Sequence, residues 1–276
     1  MKINLICILL LFALLSGCSS NISNNNIVTI SGSDTMFELT SALAEEYMKE
    51  HPGISVKVEG GGTAADIKSL IDGKIDICTA SRNLKPYEAK SIADYYGSLG
   101  LVFLIAKDAL SIYLHPQNPV DNLTSEQLKK IFTSHITNWK EAGGVDTSIQ
   151  TVIRNPNSGT YLYFKDHVLE GEEYAANSIV IPQTKDIVKF VEANVNAIGY
   201  GGMGYTGNVT HLKIDDVEPI EQNVKNDTYP IIRYLHFFTT KYPTGEVKSF
   251  IDWVLSPAGQ RVVRKTGFIP LWENKL

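Results

Sequence analysis

The stretch "GGGTAADI", residues 60–67, joins two different hydrophobic patterns. Before it, apolar and polar residues alternate over residues 54–59, which is the period of a half-buried β-strand. After it, the chain continues to Asp72-Gly73 with the pattern of a short helix. Glycines let a backbone approach another group closely, and a threonine in front of a helix is a common N-cap. The junction therefore either stabilises only the start of the helix that follows it or also binds a ligand.

The same succession of strand and helix recurs on both sides of this junction. A strand is predicted at 27–33 and a helix at 34–53, and a second strand and helix follow at 74–81 and 86–96. The apolar stretch at 101–116 is predicted to be a long strand that crosses into a second lobe. Alternating strands and helices predict an α/β fold with a largely parallel sheet.

Composition and charge exclude several classes of protein. The chain has 276 residues, of which 43% are hydrophobic, and this is enough for a large core in one or two domains. Charged residues of both signs make up 20% of the chain, which argues against disorder. The formal net charge is −5 and the sequence contains no long Lys/Arg run, so no nucleic-acid partner is expected.

The N-terminal segment has the pattern of an export signal. An apolar run over residues 5–15 follows Lys2 and is too short to span a bilayer. It ends in "LSGC", residues 15–18, which resembles the bacterial lipobox, in which Cys18 is acylated and becomes the first residue. We therefore predict a signal peptide at 1–17 and a lipidated, flexible tether at 18–26. An ordinary secretory signal is the alternative.

Three predicted strand-to-helix junctions share glycine or hydroxyl residues: "SGSDT" at 31–35, "GGGT" at 60–63 and "NSGT" at 157–160. Each helix N-terminus presents unpaired N–H groups and roughly half a positive charge, so three together supply about +1.5. Arg154 adds a full charge beside the third junction. This nearly balances the charge of roughly −1.5 to −2 on a phosphate group without a metal. One such junction is commonly structural, but three with an arginine favour an anion site.

The order and spacing of these segments resemble the periplasmic phosphate-binding proteins of the high-affinity phosphate importer, an ATP-driven permease. The resemblance covers almost the whole chain after the signal. In chain order, the segments that carry it are "SGSDTMFEL", "GGGTAADIKSLIDGKIDICTASRNLK", "NLTSEQLKKIFTSHITNWKEAGG", "VIRNPNSGTYLYF", "NAIGY" and "SPAGQRVVRKTGFIPL".

This resemblance implies a two-lobe periplasmic-binding-protein fold of type II-like character. Each lobe is a mostly parallel sheet flanked by helices, and two hinge crossings join the lobes. The crossings are expected near residues 107 and 213. Lobe 1 would then comprise residues 27–107 and 213–276, and lobe 2 would comprise residues 108–212.

The resemblance also implies a set of phosphate-binding residues: Thr35, Met36, Thr63, Ser81, Arg154, Ser158, Gly159 and Thr160. At Thr35 and Met36, a hydroxyl and a backbone N–H would face the phosphate. Neighbouring positions supply weaker candidates, which are Ser33, Asp34, Arg82 and Asn157.

One position departs from the pattern of the family. Some members carry an aspartate where Ser81 stands, and that carboxylate accepts a proton from the phosphate. Asp34 is the nearest acidic residue in a site loop of this chain, and we predict that it caps its own helix instead. The rejection of sulfate is therefore predicted to be weaker than in relatives with the aspartate.

The function implied by the resemblance is to bind inorganic phosphate outside the cytoplasmic membrane and to deliver it to an ATP-driven permease. The implied partners are phosphate, the membrane permease subunits and the lipid bilayer through acylated Cys18. The protein would be an exported, membrane-anchored monomer that faces the periplasm or the cell exterior. No cofactor is expected.

Three alternatives stay open. An enzyme would need an activated nucleophile, but the sequence has no G-x-S-x-G motif, and Ser158 has no histidine near it in the chain. The six histidines are scattered without a metal-binding spacing, so no metal site is expected. The second alternative is a binder of another oxyanion, such as sulfate or molybdate. The third is a surface lipoprotein with a role in adhesion or signalling.

Overall fold

The computed structural model describes residues 26–272 of the chain. The predicted signal peptide, the lipidation site Cys18 and the tether up to residue 25 lie outside the described residues, as do residues 273–276. Across residues 26–272, no helix is both long enough and apolar enough to cross a membrane.

Strands and helices alternate through the first hundred described residues, as the periodicity predicts. The strands are β1 Ile27–Gly32, β2 Ser55–Gly60, β3 Ile77–Ala80, β4 Leu101–Leu114, β5 Asn122–Leu123, β6 Gln150–Ile153, β7 Ile179–Val180, β8 Ala197–Gly202, β9 Thr210–His211, β10 Lys213–Ile214 and β11 Ile232–Thr239. The α-helices are α1 Phe37–Glu50, α2 Thr63–Ile71, α3 Pro86–Tyr96, α4 Ser125–Phe132, α5 Gly159–His167, α6 Thr184–Ala193, α7 Glu221–Lys225, α8 Gly245–Val254 and α9 Pro257–Lys265. Short 3-10 turns occupy Asp34–Met36 and Trp139–Ala142.

Among the described residues, eight strands form a continuous sheet in the order β2-β1-β3-β11-β4-β8-β6-β7, and β9 pairs with β4 beside it. Strands β5 and β10 form a separate two-stranded sheet. Strand β1 is parallel to both β2 and β3, and β6 is parallel to both β7 and β8. Strands β4 and β11 are antiparallel to their neighbours in the middle of the sheet. The α/β fold is confirmed, and parallel ladders form the outer part of each lobe.

Strand β4 passes from one lobe to the other. Its first part, residues 101–109, pairs with β11, and its second part, residues 110–114, pairs with β8. The apolar stretch seen in the sequence is long because one strand contributes to two cores. Residues 109–114 are all buried, whereas Val102 and Leu104 near its start are exposed.

Each lobe has its own main core. The first core contains Val28, Leu43 and Phe250, and the second contains Phe132 and Phe164 with their aromatic neighbours. Each large apolar side chain that is removed from water contributes roughly 1.5–3 kcal/mol. The two cores therefore stabilise separate bodies, and the polar residues between them are free to form a cleft.

The return of the chain to the first lobe occurs later than residue 213, where the sequence predicted it. Ile214, Val224 and Ile231 all belong to the second core, and β10 pairs with β5 in that lobe. Pairing with the first lobe begins at Ile232, in β11. The buried apolar residues at 212–231 have their packing partners in the second lobe, and this packing decides the crossing point.

Candidate anion-binding site

The glycine junction at 60–63 places a helix N-terminus against the opposite lobe. Because β1 and β2 are parallel, Gly32 and Gly60 are neighbours, and the N–H of Gly62 donates to the carbonyl of Gly32 at 2.8 Å. A side chain at Gly62 would come within 3.1 Å of the carbonyl oxygen of Asn157, and its φ of 139° favours glycine. Glycine is therefore required here for the approach of two loops from different lobes.

Thr63 does not cap the helix that follows it. The N-cap of α2 is Gly62, and Thr63 is the first helical residue. Its Oγ1 is buried and has no hydrogen-bond partner among the described residues. A buried polar group without a partner costs about 1–3 kcal/mol. The Thr63 hydroxyl therefore does not serve its own helix, which favours the possibility that this junction also binds a ligand.

The Thr63 hydroxyl faces the start of α5 in the second lobe. A side chain at Gly159 would come within 2.5 Å of Thr63 Oγ1 and within 2.6 Å of Ser81 Oγ. Gly159 is buried and has helical backbone geometry, so the small residue is needed for space. The starts of α2 and α5 therefore meet at two hydroxyl groups.

Further hydroxyl groups surround this meeting point. Ser33 Oγ donates to Ser81 Oγ at 3.1 Å, and Thr35 Oγ1 shares a 2.8 Å hydrogen bond with Thr160 Oγ1 across the lobes. These side chains are all at least 95% buried. We refer to Ser33, Thr35, Thr63, Ser81 and Thr160 as the hydroxyl cluster. A cluster of this kind supplies hydrogen-bond donors to an anion.

Two other predicted ligand residues are used within their own helices. Ser158 is the N-cap of α5, and its Oγ accepts from the N–H of Thr160 at 3.1 Å. The N–H of Met36 donates to the carbonyl of Ser33 at 2.9 Å, and the Met36 side chain packs in the first core. The Met36 N–H was predicted to face the ligand, but in the structure it donates to the carbonyl of Ser33 instead.

Arg154 lies at the edge of the hydroxyl cluster with its three nitrogens occupied. Nε donates to the carbonyl of Pro182 at 2.8 Å, Nη1 to Thr184 Oγ1 at 2.6 Å and Nη2 to Asp34 Oδ2 at 3.0 Å. Burial lowers the pKa of Arg154, and the Asp34 carboxylate opposes this shift. Guanidinium groups stay protonated in proteins, so Arg154 is a buried cation with a carboxylate partner.

Asp34 does not cap its helix, which corrects the prediction from the sequence. Ser33 is the N-cap of the 3-10 turn, and no side-chain hydrogen bond caps this turn or the start of α1. The carboxylate instead reaches Arg154 in the other lobe. A capping bond contributes about 1 kcal/mol, and a charge-assisted bond to a buried guanidinium is stronger.

The two remaining candidates have structural partners. Arg82 binds Glu88 with two hydrogen bonds, at 2.8 and 2.7 Å, and both side chains are buried. Its charge is therefore compensated inside the first lobe. Asn157 has an exposed side chain, and its carbonyl accepts from the N–H of Ala64 at 3.4 Å. Asn157 thus joins the two lobes through its backbone.

Arg233 and Asp108 are two site residues that the sequence analysis missed. Nη1 of Arg233 donates to Thr160 Oγ1 at 2.8 Å, and its Nε and Nη2 donate to Asp108 Oδ2. Burial raises the pKa of Asp108, and the adjacent guanidinium opposes this shift. The signal in the sequence is a charge within each of two apolar strands, at Lys107-Asp108 in β4 and at Arg233 in β11, and a buried charge in such a position needs a partner.

A cleft between the lobes leads to the Asp34–Arg154 pair. It has a volume of about 430 Å³, and its walls include Phe37, Asn155 and Lys185. Within residues 26–272, no group of three or more His, Cys, Asp and Glu side chains is placed to hold a metal ion. The donors in and around the cluster are hydroxyl, amide and guanidinium groups, which suit an oxyanion.

Comparison with known proteins agrees with this geometry. The PBP superfamily domain model matches residues 19–258. The phosphate-binding protein PstS of Pseudomonas aeruginosa is 32% identical over 93% of this chain and 84% of that protein. The protein of the same name from Bacillus subtilis is 32% identical over 90% of this chain and 82% of its own length.

A crystal structure from Clostridium perfringens, assigned as a phosphate ABC transporter substrate-binding protein with bound phosphate, is also similar. Its TM-score is 0.82 at 36% identity, over 90% of this chain and 100% of that chain. The predicted two-lobe fold is confirmed, and so is the prediction of a transport-related binding protein rather than an enzyme. The chain therefore belongs to the PBP superfamily and, within it, to the family of phosphate-binding proteins named PstS.

Proposed function

We propose that this protein binds inorganic phosphate outside the cytoplasmic membrane and delivers it to the membrane subunits of an ATP-driven phosphate importer. The observation that carries the proposal is the buried Thr63 hydroxyl, which has no partner among the described residues and lies beside Gly159. A phosphate oxygen is an acceptor for this group. The names of the relatives from Pseudomonas aeruginosa and Bacillus subtilis support the same ligand.

The charges around the cluster favour hydrogen bonds over ion pairing as the main attraction. Arg154 is compensated by Asp34, and Arg233 is compensated by Asp108. The positive charge predicted from Arg154 is therefore largely offset within the protein. The starts of α2 and α5 each add roughly half a positive charge, and both point into the cluster region. Directed hydroxyl and amide donors then distinguish a tetrahedral oxyanion from other anions.

Selection of phosphate over sulfate is proposed to depend on Asp34. Phosphate near neutral pH retains a proton that it can donate, whereas sulfate has none. Asp34 lines the cleft and is partly exposed, and only one of its oxygens is bound to Arg154. The other oxygen is a suitable acceptor for that proton, and its charge repels a fully ionised anion. Ser81 has a hydroxyl that donates equally well to sulfate.

Closure of the lobes around the anion is part of the proposal. The hydroxyl cluster takes residues from both lobes, so only the closed arrangement presents all of its donors. The ion pair of Lys85, the N-cap residue of α3, with Asp166 of α5, at 3.6 Å, adds a further contact between the lobes. Strands β4 and β11 run through the hinge, and their bending permits opening.

Anchoring to the membrane is proposed from the N-terminal sequence. Acylated Cys18 would hold the protein at the membrane through a tether at 18–26, so that a monomer reaches the permease subunits. Replacing Cys18 with serine tests this, because the variant should leave the membrane fraction or stay uncleaved. Normal membrane partitioning of the variant would contradict lipidation at Cys18.

Binding calorimetry on the purified full-length protein in detergent tests the ligand assignment. Phosphate, sulfate, arsenate and molybdate are compared under the same conditions. We expect phosphate and its close analogue arsenate to bind most tightly. Sulfate or molybdate binding tighter than phosphate would instead favour the second candidate, a carrier of another oxyanion, for which the hydroxyl at Ser81 is the supporting observation. Binding of none of the four would contradict both.

A further inference from the structure

Arg233 occupies the hinge between the two lobes. It lies on β11 directly opposite Asp108 of β4, one pair before the end of the segment that β4 shares with β11. The side chains of Arg233 and Asp108 are 1% and 0% exposed. Two strands that run through the hinge therefore carry a fully buried ion pair, next to the hydroxyl cluster.

The hydrogen bonds of Arg233 divide between its two neighbours. Nε and Nη2 donate to Asp108 Oδ2 at 3.0 and 2.8 Å, and Nη1 donates to Thr160 Oγ1 at 2.8 Å. Thr160 Oγ1 in turn lies 2.8 Å from Thr35 Oγ1. A continuous chain of polar contacts thus runs from Asp108 through Arg233 to Thr160 and across to the other lobe.

The chemistry of these groups fixes the direction of the hydrogen bonds. A guanidinium has only donors, whereas a hydroxyl has one proton and two lone pairs. Thr160 must therefore accept from Arg233, and its own proton is directed away from the guanidinium. The Thr160 hydroxyl can therefore donate its proton only towards the hydroxyl cluster, where Thr35 lies and where an anion oxygen would bind.

We propose that Arg233 is a positioning residue for anion binding, which acts through Thr160 by orienting and polarising its hydroxyl as a donor. Asp108 limits this effect because it compensates the charge of Arg233 from the opposite side. The proposal rests on the proposed function and assigns the hinge ion pair a role in setting anion affinity. A purely structural pair would hold β4 and β11 together without any directional effect on the anion.

The positioning role and the purely structural role predict different changes in phosphate affinity for one substitution. Asp108→Asn removes a buried negative charge and leaves Arg233 in place. We expect phosphate to bind about 3- to 10-fold more tightly to this variant, because Arg233 is then compensated by the anion instead. A structural pair predicts a loss of thermal stability with equal or weaker binding.

The complementary substitutions act on Arg233 itself. We expect Arg233→Gln to weaken phosphate binding by about 10- to 100-fold and Arg233→Lys to restore part of the loss. If Arg233 acts through Thr160, Arg233→Gln should add little to the loss in Thr160→Val, since both variants remove the same oriented donor. Arg264→Gln is the matched control, because Arg264 forms an exposed ion pair with Glu221.

Calorimetry with inorganic phosphate on the full-length variants, with melting curves to verify folding, tests the proposal. Tighter binding in Asp108→Asn with unchanged binding in Arg264→Gln supports it. Unchanged or weaker binding in a folded Asp108→Asn overturns it, as does full additivity of Arg233→Gln and Thr160→Val. If Arg233→Gln fails to fold, the Asp108→Asn result decides alone. If the native protein does not bind phosphate, the proposed function is overturned, and this inference is overturned with it. That outcome is distinct from the variant results, which overturn the inference alone.

Discussion

The guanidinium of Arg154 and the carboxylate of Asp34 meet at 3.0 Å across the cleft, although 120 positions separate them in the chain. The Arg154 side chain is 2% exposed and that of Asp34 is 27% exposed. The pair thus joins the lobes at the boundary between the buried hydroxyl cluster and the open cleft. It places one positive and one negative group beside the proposed anion, and each has a separate, testable effect.

Arg154→Ala is expected to weaken phosphate binding by roughly 2–4 kcal/mol, because it removes a buried cation and leaves Asp34 without its partner. Calorimetry measures this loss. Arg264→Ala is the control, since it removes an arginine from an exposed ion pair. A folded Arg154→Ala variant with the affinity of the native protein would contradict the assignment of Arg154 to the site.

Asp34→Asn is expected to reduce the preference for phosphate over sulfate. The substitution removes both the proton acceptor and the charge that repels a fully ionised anion. Competition calorimetry of sulfate against phosphate measures the ratio of affinities. Ser81→Asp in the native background should raise the same ratio. An unchanged ratio in Asp34→Asn would show that the carboxylate serves only to join the lobes.

Thr63→Val and Thr40→Val form a matched pair of substitutions. Both threonines are fully buried, and both Oγ1 atoms lack a partner among the described residues, but Thr40 lies within α1 and outside the hydroxyl cluster. Each variant should gain about 1 kcal/mol of stability without phosphate, since an unpaired buried hydroxyl is removed. Only Thr63→Val should lose affinity, by about tenfold. Equal affinities in the two variants would separate Thr63 from the ligand.

Gly159→Ala is expected to abolish most phosphate binding. The added methyl group would come within 2.5–2.6 Å of the hydroxyls of Thr63 and Ser81, although the helical backbone at Gly159 accepts alanine. Gly97→Ala is the contrasting control, since its φ of 67° strains the variant while its surroundings are open. We expect it to lose stability and to keep its affinity. Retained affinity in Gly159→Ala would show that the lobes do not close on this residue.

His236 should make stability depend on pH. Burial lowers its pKa from 6.5 to about 4, and a backbone hydrogen bond with Ala80 opposes the shift. The unfolded chain therefore binds the proton first, and a contribution of roughly 3 kcal/mol is present above pH 6.5 and is lost as the pH falls towards 4.

Urea unfolding of the native protein and of His236→Phe between pH 4 and 7 measures this effect. The variant should lose most of the pH slope. A smaller slope should remain, because burial also lowers the pKa of His211. The same slope in both proteins would exclude His236 as its source.

Features that depend on near neighbours in the chain were predictable from local patterns alone. The strand period before residue 60 and the glycines at 60–62 predicted a strand-to-helix junction, and β2 and α2 lie there. The first two junctions that were singled out lie at one edge of the sheet, because β1 and β2 are parallel. The third junction belongs to the second lobe and meets them only through contacts between the lobes. Local periodicity and backbone preference act within a few residues, so both can be recognised from the sequence without knowledge of the fold.

The partner of each polar side chain follows from packing between residues that are distant in the chain. The capping role expected for Asp34 was wrong because a buried guanidinium 120 positions away attracts its carboxylate more strongly. Arg233 and Asp108, 125 positions apart, are paired by the register of β11 on β4, which no local pattern encodes. Long charged side chains reach any group that packing brings near, and burial makes an unpaired charge costly, so their partners follow from the assembled lobes.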